Sequence, residues 1–144
     1  GMAMQGLAVV PLFAGYDLLR GTGRLFQYDV TGGRYEETDY FSSGSGSLHA
    51  STVVKLGFKP DLTRDETIDL VVNALYRAAG SASATGGPDL VRGIYPTMAT
   101  ITGTGFERVP ESEIAERFRV LVDRLSTPES TATAGTAPTM GGDD

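Results

Sequence analysis

The chain has 144 residues, 40% of them apolar, which is enough for one domain with a buried core. A formal charge of −6, with eighteen acidic residues against twelve dispersed basic ones, disfavours nucleic acid and anionic membrane surfaces, because both recruit clustered Lys and Arg. The lack of Cys excludes disulfides, thiolate metal sites and a Cys nucleophile, and it fits a reducing cytoplasm.

Residues 6–16, rich in Val, Leu and Phe, read as a strand, and Pro11 argues for an edge or bulge position. The apolar run there, Leu7 to Ala14, is broken by Pro11 and is far shorter than the ~20 residues that span a bilayer. No basic stretch precedes it as in a signal peptide. Residues 24–30 and 34–41 flank Thr31-Gly32-Gly33, a composition for a tight turn with positive φ, and predict an antiparallel pair. After Gly44-Ser45-Gly46-Ser47 a short helix is expected, with Ser47 as N-cap and Gly57 then Pro60 marking its end.

Thr63-Arg64-Asp65-Glu66 has the capping-box pattern and opens a second helix. Its stripe of Ile68, Val71, Val72, Leu75 and Ala79 should pack on a sheet, leaving Asp69, Asn73 and Arg77 in water. A glycine-rich loop of about fifteen residues follows. Residues 95–102 then read as a strand, and Gly103-Thr104-Gly105 turns it into residues 106–109. Pro110 opens a last helix with Ile114, Phe118, Leu121, Val122 and Leu125 on one face.

Beyond residue 126 the chain is mostly Thr, Ala, Gly, Ser and Pro, ending in Asp143-Asp144, and lacks the apolar side chains needed to offset its ordering entropy. We therefore expect a domain over 1–126 and a disordered tail over 127–144. Strands and helices in this order indicate layers of helix and sheet, and periodicity goes no further.

Two segments are candidates for chemistry. Gly44-Ser45-Gly46-Ser47 sets hydroxyls and backbone N–H groups at a helix start, where a negative oxygen is stabilised; the plain alternative is a sharp turn that only caps the helix. Residues 80–87 alternate small and hydroxyl residues, and composition alone reads them as a flexible connection. Glu36-Glu37 and Glu111-Ser112-Glu113 read as solvated charges, the latter suited to the first turn of a helix.

Taken with Gly44-Ser45-Gly46-Ser47, the stretch Ser83-Ala84-Thr85-Gly86-Gly87-Pro88-Asp89-Leu90-Val91-Arg92-Gly93-Ile94-Tyr95-Pro96-Thr97 resembles the proteasome core β subunit family. It is most similar to the bacterial, actinobacterial form, and the likeness runs from Met2 to the helix ending near Leu125. The resemblance implies an α+β chain with the N-terminal nucleophile hydrolase fold, a four-layer αββα sandwich. Here it would be incomplete on its N-terminal side, lacking the first strands and first helix.

It also implies a threonine-type endopeptidase, in which an N-terminal threonine hydroxyl attacks a peptide carbonyl with its own α-amine as base. A chain that starts at Gly1 has no such hydroxyl there, and the resemblance places the catalytic Lys in an early strand that would precede everything in this sequence, so it is expected to be a C-terminal part, inactive in isolation. By the resemblance, Ser45 sits beside the nucleophile and its amine, and Thr85 is the hydroxyl residue that supports that amine. The family's Asp in the same loop is replaced by Ala82, which should weaken catalysis because a carboxylate sets the orientation and pKa of the amine. Asp89 is no evident substitute.

A hairpin turn from a neighbouring subunit lines the family's substrate channel, which makes Asp29 a candidate for touching substrate. His49, where relatives carry an aromatic residue, reads as a packed or half-buried imidazole. The partners implied are α subunits and other β subunits in seven-membered rings, an ATP-dependent unfoldase, and unfolded protein substrates. No cofactor or metal is implied, and the expected location is the cytoplasm. The alternative is a non-catalytic ring or assembly subunit, for which Ala82 argues; a small independent binding domain is a third reading.

Overall fold

The computed structural model describes residues 6, 9–81, 86–89 and 91–127. The tail expected over 127–144 lies outside the described residues apart from Thr127. Strand β1 (Leu12–Asp17), β2 (Thr22–Tyr28) and β3 (Arg34–Glu37) form an antiparallel meander with β2 in the centre. The expected strand over 6–16 thus begins later, directly after Pro11, whose missing N–H suits the entry to an edge strand. The third strand is shorter than expected, since Thr38 and Asp39 bend the chain away.

Register places Phe13, Phe26 and Glu36 side by side across the sheet. The Phe13 and Phe26 rings lie 6.4 Å apart, and the Arg24 and Arg34 guanidinium groups sit 5.0 and 5.2 Å from the Phe26 ring centre. Glu36 is paired with Arg24 at 2.8 Å and Glu37 accepts from Gln27, so this pair is engaged across the sheet as well as solvated. On the opposite face Leu25 shares a cleft with Val54, Phe58, Leu70 and Val71 of the helical layer.

Helix α1 (Ser47–Gly57) and helix α2 (Arg64–Ser81) are joined by a short turn and pack together. Leu70 of α2 packs over Gly57, where a Cβ would come within 2.5 Å of Leu70 Cδ1 and require that side chain to shift. The capping box at α2 forms as read: Glu66 N–H donates to Thr63 Oγ1 at 3.2 Å, and Thr63 N–H donates to Glu66 Oε2 at 2.8 Å.

The hairpin of β4 (Ala99–Thr102) and β5 (Gly105–Arg108) turns on Gly103-Thr104, with Gly105 at φ +116. Residues 95–98, expected in the strand, instead lead into it, with Tyr95 and Met98 packed against the core. Helix α3 (Glu111–Ser126) follows Pro110 and closes that core: Ile68 and Val72 of α2 meet Val109, Ile114, Leu121 and the fully buried Phe118. Leu125, expected on the same stripe, is 43% exposed near the end of α3.

Of the expected α2 stripe Ile68 and Val72 are buried, Leu75 and Ala79 are half-buried and Val71 is 38% exposed; because α2 has neighbours on two sides, Ala74 and Ala78 outside the stripe are buried as well. Asn73, expected in water, is half-buried, and its Oδ1 is buried without a hydrogen-bond partner among the described residues. An ion cluster ties α2 to α3. Arg117 reaches Asp65, Asp69 and Glu113, each at 2.8 Å, while Arg64 holds Glu113 from the α2 side at 2.8 Å. Glu113, read as a solvated first-turn charge, is held instead by both arginines, which lower its pKa to about 2. No described helix is long and apolar enough to cross a membrane.

Candidate active site

The chain leaves β3, runs through residues 38–43 and enters α1 by way of Gly44-Ser45-Gly46. Gly44 adopts φ +101, a backbone region that side chains disfavour, and this reverses the chain so that Ser47 N–H donates to Gly44 O at 3.1 Å. Gly46, buried, is the N-cap, and Ser47 is the first helical residue instead of the expected cap. The first turn of α1 carries neither a side-chain cap on Gly46 nor an acidic residue of its own. Ser45 is exposed at the outer edge of this turn. His49, expected to be packed, is exposed on α1.

The second candidate segment leaves α2 at Ser81; Ala82 and Thr85 lie outside the described residues. At Gly87 the chain rests on α2: a Cβ there would stand 2.8 Å from the Ala79 Cβ. Asp89 and Ile94 then exchange backbone hydrogen bonds of 2.8 and 2.9 Å across a turn in which Gly93 has φ +68. The Asp89 carboxylate accepts from the Arg92 backbone at 2.9 Å and pairs with the Arg92 guanidinium. This pairing holds its pKa below the usual range and commits it to its own turn.

Asp29 closes the β2–β3 turn. Its Oδ1 accepts from the Thr31 backbone (2.9 Å), the Thr31 hydroxyl (2.7 Å) and the Gly33 backbone (2.8 Å), and its Oδ2 accepts from the Tyr35 hydroxyl at 2.9 Å. These bonds, the Thr31 hydroxyl first among them, lower its pKa to about 2. What the turn offers outward is its backbone edge and the exposed Val30 more than a spare carboxylate. The sequence reading placed a tight turn at Thr31-Gly32-Gly33 and missed the Asp29 side chain that closes it, for which an Asp two residues before Thr31 is the local signal; the Tyr35 bond depends on strand register and has none.

Among the described residues no group of three or more His, Cys, Asp or Glu is arranged to hold a metal ion. The site's resources are hydroxyls, backbone N–H groups and a helix start, which suit the stabilisation of an oxyanion or the support of an amine.

Comparison with known proteins gives the segments a context. The family model described as "Proteasome subunit" matches residues 2–91, a span that contains both candidate segments. The chain is 54% identical over 123 residues to "Proteasome subunit beta" of Streptomyces griseus, covering 85% of this chain and 44% of that protein. It is 54% identical over 114 residues to "Proteasome subunit beta 2" of Thermomonospora curvata, with 79% and 41% covered. With "Proteasome subunit beta 1" of Streptomyces avermitilis the identity is 50% over 130 residues, covering 88% and 46%. The chain therefore spans less than half the length of these curated relatives. On these matches, and with three helices and two antiparallel sheets among the described residues, the chain belongs to the proteasome subunit family as a β-type member with that family's α+β N-terminal nucleophile hydrolase fold.

Proposed function

We propose that this chain is part of a proteasome core β subunit that acts as a threonine-type endopeptidase in protein degradation. The observation that carries the reading is the 54% identity to a proteasome β subunit over 123 residues, together with a family match that spans both candidate segments. In this reading an N-terminal threonine, supplied by a part of the subunit outside this sequence, attacks the peptide carbonyl. An acyl-enzyme forms, and water then releases the peptide.

Ser45 stands beside the nucleophile and its amine, at a helix start whose positive end favours developing negative charge. Thr85 supports the amine from the loop after α2. The Asp29 turn borders the substrate channel of a neighbouring subunit through its backbone edge. The partners are α subunits and further β subunits in seven-membered rings, with an ATP-dependent unfoldase feeding unfolded chains in the cytoplasm.

A second reading, a non-catalytic ring or assembly subunit, draws on one observation: Ala82 occupies the loop position at which the family resemblance places an Asp. One experiment separates the two. The native full-length protein is isolated in its assembled state, its N-terminus is sequenced, and hydrolysis of a fluorogenic peptide is followed. A processed N-terminal Thr with turnover supports the peptidase; a ring without either supports the assembly role.

A further inference from the structure

We infer that Gly44 is a positioning residue of this site: its left-handed backbone torsion aims the peptide that carries Ser45. The inference rests on the peptidase reading above, in which Ser45 stands beside the nucleophile and its amine. Gly44 has φ +101, a region in which a side chain crowds its own backbone, and among the described residues every residue with positive φ is glycine. Space is not the reason for glycine here. A Cβ built on Gly44 would meet nothing within 4 Å, so alanine at 44 changes the torsion and touches no neighbour.

Both flanks of the turn are held by tertiary contacts. Upstream, the Tyr40 ring lies 5.6 Å from the ring of Phe58, and Tyr40 and Phe41 line a cleft with Val54 and Leu70. Downstream, Gly46 is buried at the start of α1, Ala50 N–H donates to Gly46 O at 3.0 Å, and α1 packs on α2. A change of torsion at Gly44 therefore falls on the Gly44–Ser45 peptide between them, whose carbonyl oxygen accepts from Ser47 N–H at 3.1 Å. Rotation of that peptide carries Ser45 with it, because consecutive Cα atoms keep a fixed separation of about 3.8 Å. Support of an amine by a hydroxyl tolerates little displacement, since misplacement by about 1 Å costs on the order of 100-fold in rate.

The test is a double-mutant cycle with Ser45→Ala in the full-length, assembled protein, read by hydrolysis of a fluorogenic peptide. Gly44→Ala is expected to lower kcat at least about tenfold with KM within about twofold. Gly44→Asn should lose less and Gly44→Val more, since Asn tolerates positive φ best among side chains and a β-branched residue worst. Ser45→Ala lowers kcat by itself, and adding Gly44→Ala to it should cost less than about twofold more, because Gly44 acts through a hydroxyl that is already gone. If Gly44→Ala does not assemble, Gly44→Asn goes through the same cycle; failure of both to assemble makes the turn a requirement of the fold and overturns the inference. Wild-type kcat in Gly44→Ala, or losses that multiply with Ser45→Ala, overturns it too while leaving the peptidase reading intact. A wild-type assembly without any peptidase activity overturns that reading and this inference with it.

Discussion

Two residues carry the sharpest expectations. Asp29 has its carboxyl pKa lowered from an ordinary 3.8 to about 2 by the hydrogen bonds of its own turn. A carboxylate with a depressed folded-state pKa contributes stability above its unfolded value and loses it as pH falls through the folded value. Asp29→Asn should therefore lower the thermal midpoint of the full-length subunit at pH 7, and the gap to wild type should close between about pH 4 and pH 2. A gap that persists unchanged through this range would mean that the Asp29 side chain supports the turn without any contribution from its ionisation. Ala82 tests the other end of the site. On the peptidase reading, Ala82→Asp supplies the carboxylate that the family resemblance places in this loop, and peptide hydrolysis by the full-length, assembled protein should rise at least about tenfold. Equal rates would show that another group supplies the acid's role. Sequence exposed both positions only partly. The turn itself was legible from Thr31-Gly32-Gly33, but Asp29 was read only as a candidate for touching substrate; its bonds to Thr31 and Gly33 are local, whereas its bond to Tyr35 depends on how β2 and β3 pair.

At the scale of elements, α2 is the part most fully readable from its residues, because a capping box needs only four consecutive side chains. Thr63→Ala removes the acceptor for the Glu66 N–H and should cost about 1 kcal/mol, measurable as a lower denaturant midpoint at an unchanged slope. The start of α1 read less well. Ser47 is a good capping residue by type, but Gly44 at φ +101 delays the helix so that Gly46 takes the cap position. A burial stripe assumes one neighbour; α2 has α1 on one side and α3 on another, and so Ala74 and Ala78 are buried and Asn73 is drawn half inside. The charges of α2 and α3 likewise read as solvated one helix at a time. Only the packing of the two helices brings Arg64, Asp65, Asp69, Glu113 and Arg117 together.

Over the whole molecule, apolar surface is the dominant fact. Val9, Val10, Leu12 and Phe13 lie at or beside an edge strand with 48–84% of their surface exposed, and a groove of about 600 Å³ opens between Ile68 and Val71 of α2 and the β4 residue Ile101. Exposed strand edges and open apolar grooves favour association. The 144-residue chain produced alone should therefore aggregate, and its net charge of −6 should slow this at low ionic strength more than at high. Light scattering or size-exclusion chromatography checks it. A monodisperse monomer with one sharp thermal transition would support the small independent domain instead.

Composition, turn residues and helical spacing by themselves determined which classes of partner to set aside, the order of strands and helices, and the capped start of α2. They did so because each signal acts over a few neighbouring residues, where covalent geometry and local hydrogen bonding decide the conformation. Tertiary structure alone decided that His49 and Leu125 lie exposed, that Glu113 is held by two arginines from different helices, and that Gly87 must be bare against Ala79. Each of these depends on residues far apart in sequence arriving at one place, and no local pattern along a single chain encodes which distant surface will arrive there.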